Sequence, residues 1–498
     1  MRFFCGLLSA LFLNVAFARE SFTVGTELNL GFYGAPTAPE FALDTVDRYG
    51  GNWRGLQIPL STARSYERID PFFAIFLEGA YKDFQVRLDF PLRKDLEAWY
   101  DDNLKTNVTL NPSNLDINVP LEGFAKWDYG AGFIQFGRFK PELGPSPHTL
   151  ALGGAPYHDA LWWKFEPNIF RYDFLFSSLN AHLHGTPATL GAAPPEGSEA
   201  WEQAHWSVDN QRNRSYTEPY KNLVYHRLGV EFSRFWFYVV EQSVIGGKQA
   251  EFRTINPFMF WHDNFAAGYT KSNVVLEMGA RPIRGSAFYW QMAIEEVKSP
   301  VGEKDVDSRG IVSYLVGYSQ EIPTQRFGDF KYRLDLVYTD PAYGNERLPL
   351  LKYTSRRMYR SNYRDREDAD FADMYFVDYP LGYVRGSDAI DLWLTTGWKY
   401  KQHEVSLELA WLRQGDKGTY ADYDEALQSK KPLSGVVERQ YLADILYSYR
   451  LMNAFSVFAG GGGRKYRNLS HEQGENGQDF WFRAGVKVSF SYTVGASE

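Results

Sequence analysis

The residues that could hold a metal or move a proton are present but poorly arranged. The nine histidines are scattered along the chain. His182 and His184 have the spacing of a two-ligand chelate, yet no neighbouring Asp, Glu or His completes the set a metal site requires, and a solvated loop is the plainer account. His471-Glu472 begins like a zinc-protease helix, but the fifth position is Glu475 where that motif needs histidine. Gly460 to Gly463 run into Arg464-Lys465 rather than the Gly-Lys-Ser/Thr ending of a phosphate loop, so they read as a glycine-rich strand that leaves lumen space, or as a bend. No Gly-x-Ser-x-Gly elbow occurs. Glu295-Glu296 and Asp422 with Asp424 have the right types for general acid and base. Among 61 acidic residues, however, such proximity is ordinary. The sequence therefore predicts no catalysis, no cofactor and no metal.

Two long polar stretches hold a different chemistry. Residues 181 to 222 carry Trp201, Trp206, Tyr216 and Tyr220 among His, Asp, Asn and Arg. Residues 341 to 379 carry Tyr343, Tyr353, Tyr359 and Tyr363 with Arg356, Arg357, Arg360, Arg364 and Arg366. Aromatic rings offer flat faces to sugar rings, and guanidinium forks suit carboxylates such as those of uronic acids. Trp201, Trp206, Tyr216, Tyr353, Arg356, Arg357, Tyr359 and Arg360 are the predicted polysaccharide contacts. The competing account packs the rings onto a scaffold and pairs the arginines with Glu367, Asp368 and Asp370.

The scaffold is legible at the end of the chain. From Asp479 to Tyr492, Phe480, Phe482, Ala484, Val486, Val488, Phe490 and Tyr492 share one parity, while Asp479, Trp481, Arg483, Gly485, Lys487 and Ser489, mostly polar, share the other. A strand so patterned has one oily face and one polar face, as a wall between lipid and water requires. The same alternation recurs at 84–90, 332–338, 390–400, 405–411 and 441–449. Tight connections (Lys82-Asp83, Glu166 to Asn168, Lys401 to His403, Met452-Asn453) contrast with long ones at 91–126, 181–222, 341–379 and 413–438. These features predict an all-β fold: a closed antiparallel transmembrane barrel of about 16 to 18 strands, with long loops and a small helical or plug-like insert within 91–126.

The chain begins with Arg2 and an apolar run from Phe3 to Phe17, closed by Ala16-Phe17-Ala18. Residues 1–18 read as a secretory signal and 19–498 as a single barrel domain in a bacterial outer membrane. The sole cysteine, Cys5, falls within that signal, so disulfides have no part in the predicted domain. A net charge of −8 argues against nucleic acid as a partner. Aromatic content of 17% with a mean hydropathy of −0.40 fits alternation of oily and polar residues rather than clustering.

Three stretches, in order, resemble the capsule-assembly Wzi family of outer-membrane barrels. The first runs from Gly137-Arg138 through Leu143-Gly144-Pro145 to Ala155-Pro156-Tyr157. The second runs from Arg253 through Asn256-Pro257 to His262-Asp263-Asn264. The third, Tyr379-Pro380-Leu381-Gly382-Tyr383 to Asp388-Ala389, has Tyr383 where the family usually has histidine. The resemblance implies a non-catalytic surface lectin of about 18 strands that attaches capsular or exopolysaccharide to the cell. The last strand also resembles the outer-membrane recognition signal, with Arg483, Gly485, Val488 and Phe490 in its slots, which implies contact with the barrel-assembly machinery. The expected partners are thus polysaccharide, outer-membrane lipid and that machinery, with the protein a monomer. A porin-type channel for small solutes is the alternative function.

Overall fold

The computed structural model describes residues 20–34, 44–48, 53–57, 60–101, 105–116, 118, 120–154, 157–180, 220–246, 250, 252, 254–260, 269–296, 310–346, 351–360, 374–419, 421, 423–429 and 433–495. The signal reading of residues 1–18 and the residues Trp201, Trp206 and Tyr216 lie outside this set. In chain order the first strands are β1 (Glu20–Gly34), β2 (Asp44–Arg48), β3 (Trp53–Gln57), β4 (Phe73–Tyr81), β5 (Phe84–Leu92), β6 (Glu122–Asp128) and β7 (Gly132–Phe139). There follow β8 (His158–Phe165), β9 (Phe170–Asn180), β10 (Tyr220–Glu231), β11 (Phe235–Gly246), β12 (Tyr269–Ala280), β13 (Ser286–Glu296), β14 (Ile311–Thr324) and β15 (Gly328–Thr339). The last are β16 (Thr354–Arg360), β17 (Met374–Pro380), β18 (Ala389–Tyr400), β19 (His403–Gln414), β20 (Glu438–Met452), β21 (Phe455–Arg467) and β22 (Asn476–Gly495). Short helices α1 (Leu60–Glu67), α2 (Leu96–Asp101) and α3 (Tyr423–Gln428) lie in the connections.

Eighteen strands form one antiparallel sheet, closed because β1 pairs with both β22 and β4. This is the predicted barrel at the upper end of the expected strand count. The seam is long: Ser21 faces Gly495 at one end and Gly34 faces Phe482 at the other. All tight turns lie at the end of the barrel that also holds Ser21 and Gly495, which we call the turn end. Lys82, Asn168 and Lys401 adopt left-handed backbone there, as tight hairpins require. The long connections lie at the opposite, loop end. The α2 helix and a 3-10 turn at Pro112–Asn114 supply the helical insert expected within 91–126.

Exposure follows strand parity. On β22, Phe480, Phe482, Phe490 and Tyr492 are exposed on the outer face, as are Leu28, Leu30 and Phe32 on β1 and Leu334 and Leu336 on β15. At ~3.3 Å per residue and a tilt of ~40°, the stretch from Phe480 to Tyr492 covers roughly 30 Å, about the hydrocarbon thickness of a bilayer. Rings sit at both ends of that stretch and Ala484, Val486 and Val488 between them, the order of an aromatic girdle around an aliphatic band.

The inner face is not uniformly wet. Inward residues of β10 to β15, including Leu223, Tyr225, Val240, Val275, Tyr289, Leu315 and Val337, join one apolar core with Leu150, Leu152, Tyr343, Tyr353, Leu381 and Tyr383 from the connections. Several loops thus fold inward and fill that half of the lumen. The plug is larger than the insert expected within 91–126, and most of it comes from elsewhere. The glycine run on β21 does not open space either. A Cβ on Gly462 would stand 2.6 Å from the Trp481 ring, and one on Gly460 would collide with the carbonyl of Ile445. These glycines let neighbouring strands and an indole pack close.

Candidate functional site

The loop-end mouth is the place where sequence-predicted contacts and the plug meet. Residues 341–379 are not a free excursion: β16 and β17 pair as a hairpin, and β17 pairs in parallel with β3, which pairs with β2. This four-stranded sheet joins the connection from β1 to β4 with the one that follows β15. At its base, inward-pointing Lys221 at the loop end of β10 donates to the carbonyls of Lys352 (2.6 Å) and Thr354 (2.7 Å). Farther along, Tyr359 and Tyr379 each donate to Glu67 Oε1 of α1 at 2.8 Å. Arg357 donates to the same oxygen at 3.3 Å. The hairpin is therefore pinned to the barrel wall at one end and to α1 at the other.

Most of the predicted sugar contacts on this hairpin are taken by protein partners. Tyr353 is buried and donates to the carbonyl of Gln242 on β11. Arg356 is buried and grips Asp378 through two hydrogen bonds of 2.9 Å. Tyr359 is buried against Tyr66, with ring centroids 6.1 Å apart edge to face. Arg360 pairs with Met374 through the backbone register. Arg357 is the exception, part exposed, its guanidinium 4.6 Å from the Tyr359 ring and 5.7 Å from that of Tyr157. The acids that hold Arg356 and Arg357 are Asp378 and Glu67. Glu367, Asp368 and Asp370, the partners anticipated from the sequence, lie outside the described residues.

Electrostatics tighten this junction. Burial works against the Arg357 charge, but Tyr359, Tyr379 and Glu67 outweigh it and its pKa stands above the usual value. Burial, with Tyr359 and Glu67 beside it, pushes the Tyr379 hydroxyl well above the usual phenol range. Both phenols stay protonated and act as donors to Glu67.

Two of the three stretches that carried the family resemblance meet inside the barrel. The N–H groups of Gly153 and Gly154 donate to the carbonyl of Leu381 at 3.0 and 3.3 Å. Arg64 of α1 bridges the carbonyls of Gly154 (3.0 Å) and Val384 (2.9 Å). His148 stacks on Trp393 with centroids 4.7 Å apart and approaches Asp335 at 2.7 Å. Tyr383 donates to Asp391 at 2.6 Å and accepts from Trp393 Nε1 at 2.8 Å. The tyrosine in the usual histidine position is thus a fully buried link between plug and wall. Sequence reading had no signal for these partners, because Asp335, Asp391 and Trp393 sit on strands whose alternation was already explained.

The other half of the lumen wall is charged and part exposed. Arg68 reaches Glu408 at 3.4 Å, Lys487 pairs with Glu27 at 2.6 Å and Arg483 with Asp444 at 2.6 Å. Arg87 lies between Asp89 (3.2 Å) and Glu78 (3.6 Å). Of the recognition-strand residues, Arg483 therefore faces inward, while Val488 and Phe490 face out. Gly485 lies opposite Gly31 across the seam, where a Cβ would strike the carbonyl of Leu30 and stand 2.7 Å from Phe458.

No family model matches this chain, and no curated protein does. Solved outer-membrane barrels are similar to it at low identity. Wzi of Escherichia coli, described as an outer-membrane protein involved in group 1 capsule assembly and as a carbohydrate-binding β-barrel, is 12% identical with a TM-score of 0.47, over 98% of this chain and 87% of that one. OprD of Pseudomonas aeruginosa is 7% identical with a TM-score of 0.42, over 96% and 95%. OccK5 of the same organism is 9% identical with a TM-score of 0.38, over 96% and 100%. The closed sheet and its greasy girdle make this chain a bacterial outer-membrane β-barrel.

Proposed function

We propose that this barrel binds surface polysaccharide, capsular or exopolysaccharide, and holds it to the cell in support of capsule assembly, without chemical turnover. The observation that carries the reading is the filled side of the lumen along β10 to β15: a dry core and a pinned hairpin stand where a wide pore would need water. The meeting of the first and third resemblance stretches within that plug supports the same reading. Sugar contacts then fall to the loop-end surface. There Arg357 with Tyr157 offers a cationic, aromatic step, and Trp201, Trp206 and Tyr216, outside the described residues, are the further candidate contacts. Tyr353, Arg356 and Tyr359 serve as the framework beneath. The protein works as a monomer, inserted by the barrel-assembly machinery through its last strand.

A deletion strain stained for cell-bound against shed polysaccharide tests this. Shedding into the medium is the expected result, and a coat that stays on the cells overturns it. The charged wall from β19 through β22 to β1, β4 and β5 supports a second reading, a narrow channel for small solutes. Planar-bilayer recording separates the two: the plugged lectin gives no steady large openings, and a porin does.

A further inference from the structure

One part of the outer wall does not match its surroundings. Arg227 of β10 points into the lumen, where it meets Glu277 at 2.8 Å, so its neighbour His226 points outward. Around it on the outer face lie Tyr172, Phe174, Val224, Ile245, Glu241 and Ser243, all buried although Phe170, Leu228 and Phe235 nearby are exposed. His226 and Glu241 are cross-strand partners, and the Ser243 hydroxyl meets that of Ser272 at 2.6 Å. Polar side chains on a barrel exterior at hydrocarbon height cost several kcal/mol when lipid faces them. Residues 254–260, from the connection between β11 and β12, lie over this patch at Tyr172, His226 and Trp163. The Phe260 ring lies 4.7 Å from that of His226, Phe258 lies 5.8 Å from Trp163, and Tyr172 donates to the carbonyl of Pro257. Tyr172 stands near the turn end of β9, so the segment descends most of the wall.

Irregular backbone is normally excluded from hydrocarbon because its N–H and C=O groups lack partners. This turn supplies its own. Pro257 has no N–H and its carbonyl is taken by Tyr172. The Asn256 side chain accepts from the N–H of Phe258 and its carbonyl from the N–H of Met259, both at 3.1 Å. Beyond its edge contact with Trp163, Phe258 is 73% exposed, and the preceding Phe252 is 90% exposed.

We infer that residues 254–260 are a strap lying within the hydrocarbon layer, with Phe258 and the preceding Phe252 among the acyl chains and His226 and Tyr172 beneath it. The Asn256-Pro257 pair is the device that makes the dip tolerable. Since Cys5 is the only cysteine, a Cys5→Ser chain accepts a single nitroxide at Phe258→Cys or Phe252→Cys. In bilayers, accessibility to oxygen should exceed that to a water-soluble nickel chelate at both sites, as at Phe482→Cys on the lipid face and opposite to Arg326→Cys in a turn. Adding Asn256→Ala should lower the oxygen-to-nickel ratio at position 258 several-fold. Nickel-rich accessibility in the parent would put the strap in water and overturn the proposal. Inaccessibility to both reagents would mean protein cover, such as a second copy, and would overturn it equally.

Discussion

Removing one partner of the Arg356–Asp378 pair should unlatch the hairpin that crosses the mouth. Both side chains are nearly dry, 9% and 1% exposed, and two parallel hydrogen bonds of 2.9 Å hold them. Arg356→Ala leaves the Asp378 carboxylate buried without its guanidinium, a loss of about 3–5 kcal/mol for a pair of this kind. Every ~1.4 kcal/mol is tenfold, so local opening should increase by roughly 10²-fold to several thousand-fold. Hydrogen exchange of the β16 and β17 amides reads that opening directly, with the β20–β21 amides as an internal reference. The double substitution Arg356→Met/Asp378→Leu removes both charges together and should restore protection to within about 1 kcal/mol of the parent. Unchanged exchange in the single variant would refute the reasoning. So would a double variant as open as the single one, since the effect would then be lost contact rather than a stranded charge.

Tyr383→Phe deprives Asp391 and Trp393 of a shared buried partner and should cost about 1–3 kcal/mol, seen as a lower urea midpoint with the barrel still heat-modifiable. Gly485→Val places a branched side chain against the carbonyl of Leu30 at the seam; unfolded chain should accumulate during refolding into vesicles, while Ser489→Val, at the same parity, refolds normally. Val486→Arg, between the rings of β22, should cost roughly 2–4 kcal/mol on vesicle-folding titration, whereas Tyr492→Arg at the girdle should cost at most ~1 kcal/mol. Equal costs at the two positions would contradict the assigned band.

Alternation revealed the barrel most clearly on one side, and the structure explains why. The strands whose pattern stood out, at 84–90, 332–338, 390–411, 441–449 and 479–492, mostly line the charged wall, where the inner face stays wet. Across β9 to β14 the inner face packs against the plug. Where the outer face is covered as well, as at Leu223-Val224-Tyr225, the run is buried on both faces and loses the two-residue period. The plug was less legible still. Its ties run between residues far apart, such as Glu67 with Tyr379 and Ser146 with Asp335, and no local spacing encodes them. The aromatic and arginine content of 341–379 was visible in the sequence. That the stretch would turn inward and use Asp378 and Glu67 was not, because the sequence offered nearer acids.

The sheet that bridges the mouth ties the connection from β1 to β4 to one that follows some three hundred residues later, through Glu67 and Arg357. A contact of that span carries a loop-closure cost that must be met before it stabilises the fold. The mouth is therefore expected to order more slowly than the hairpins of the wall.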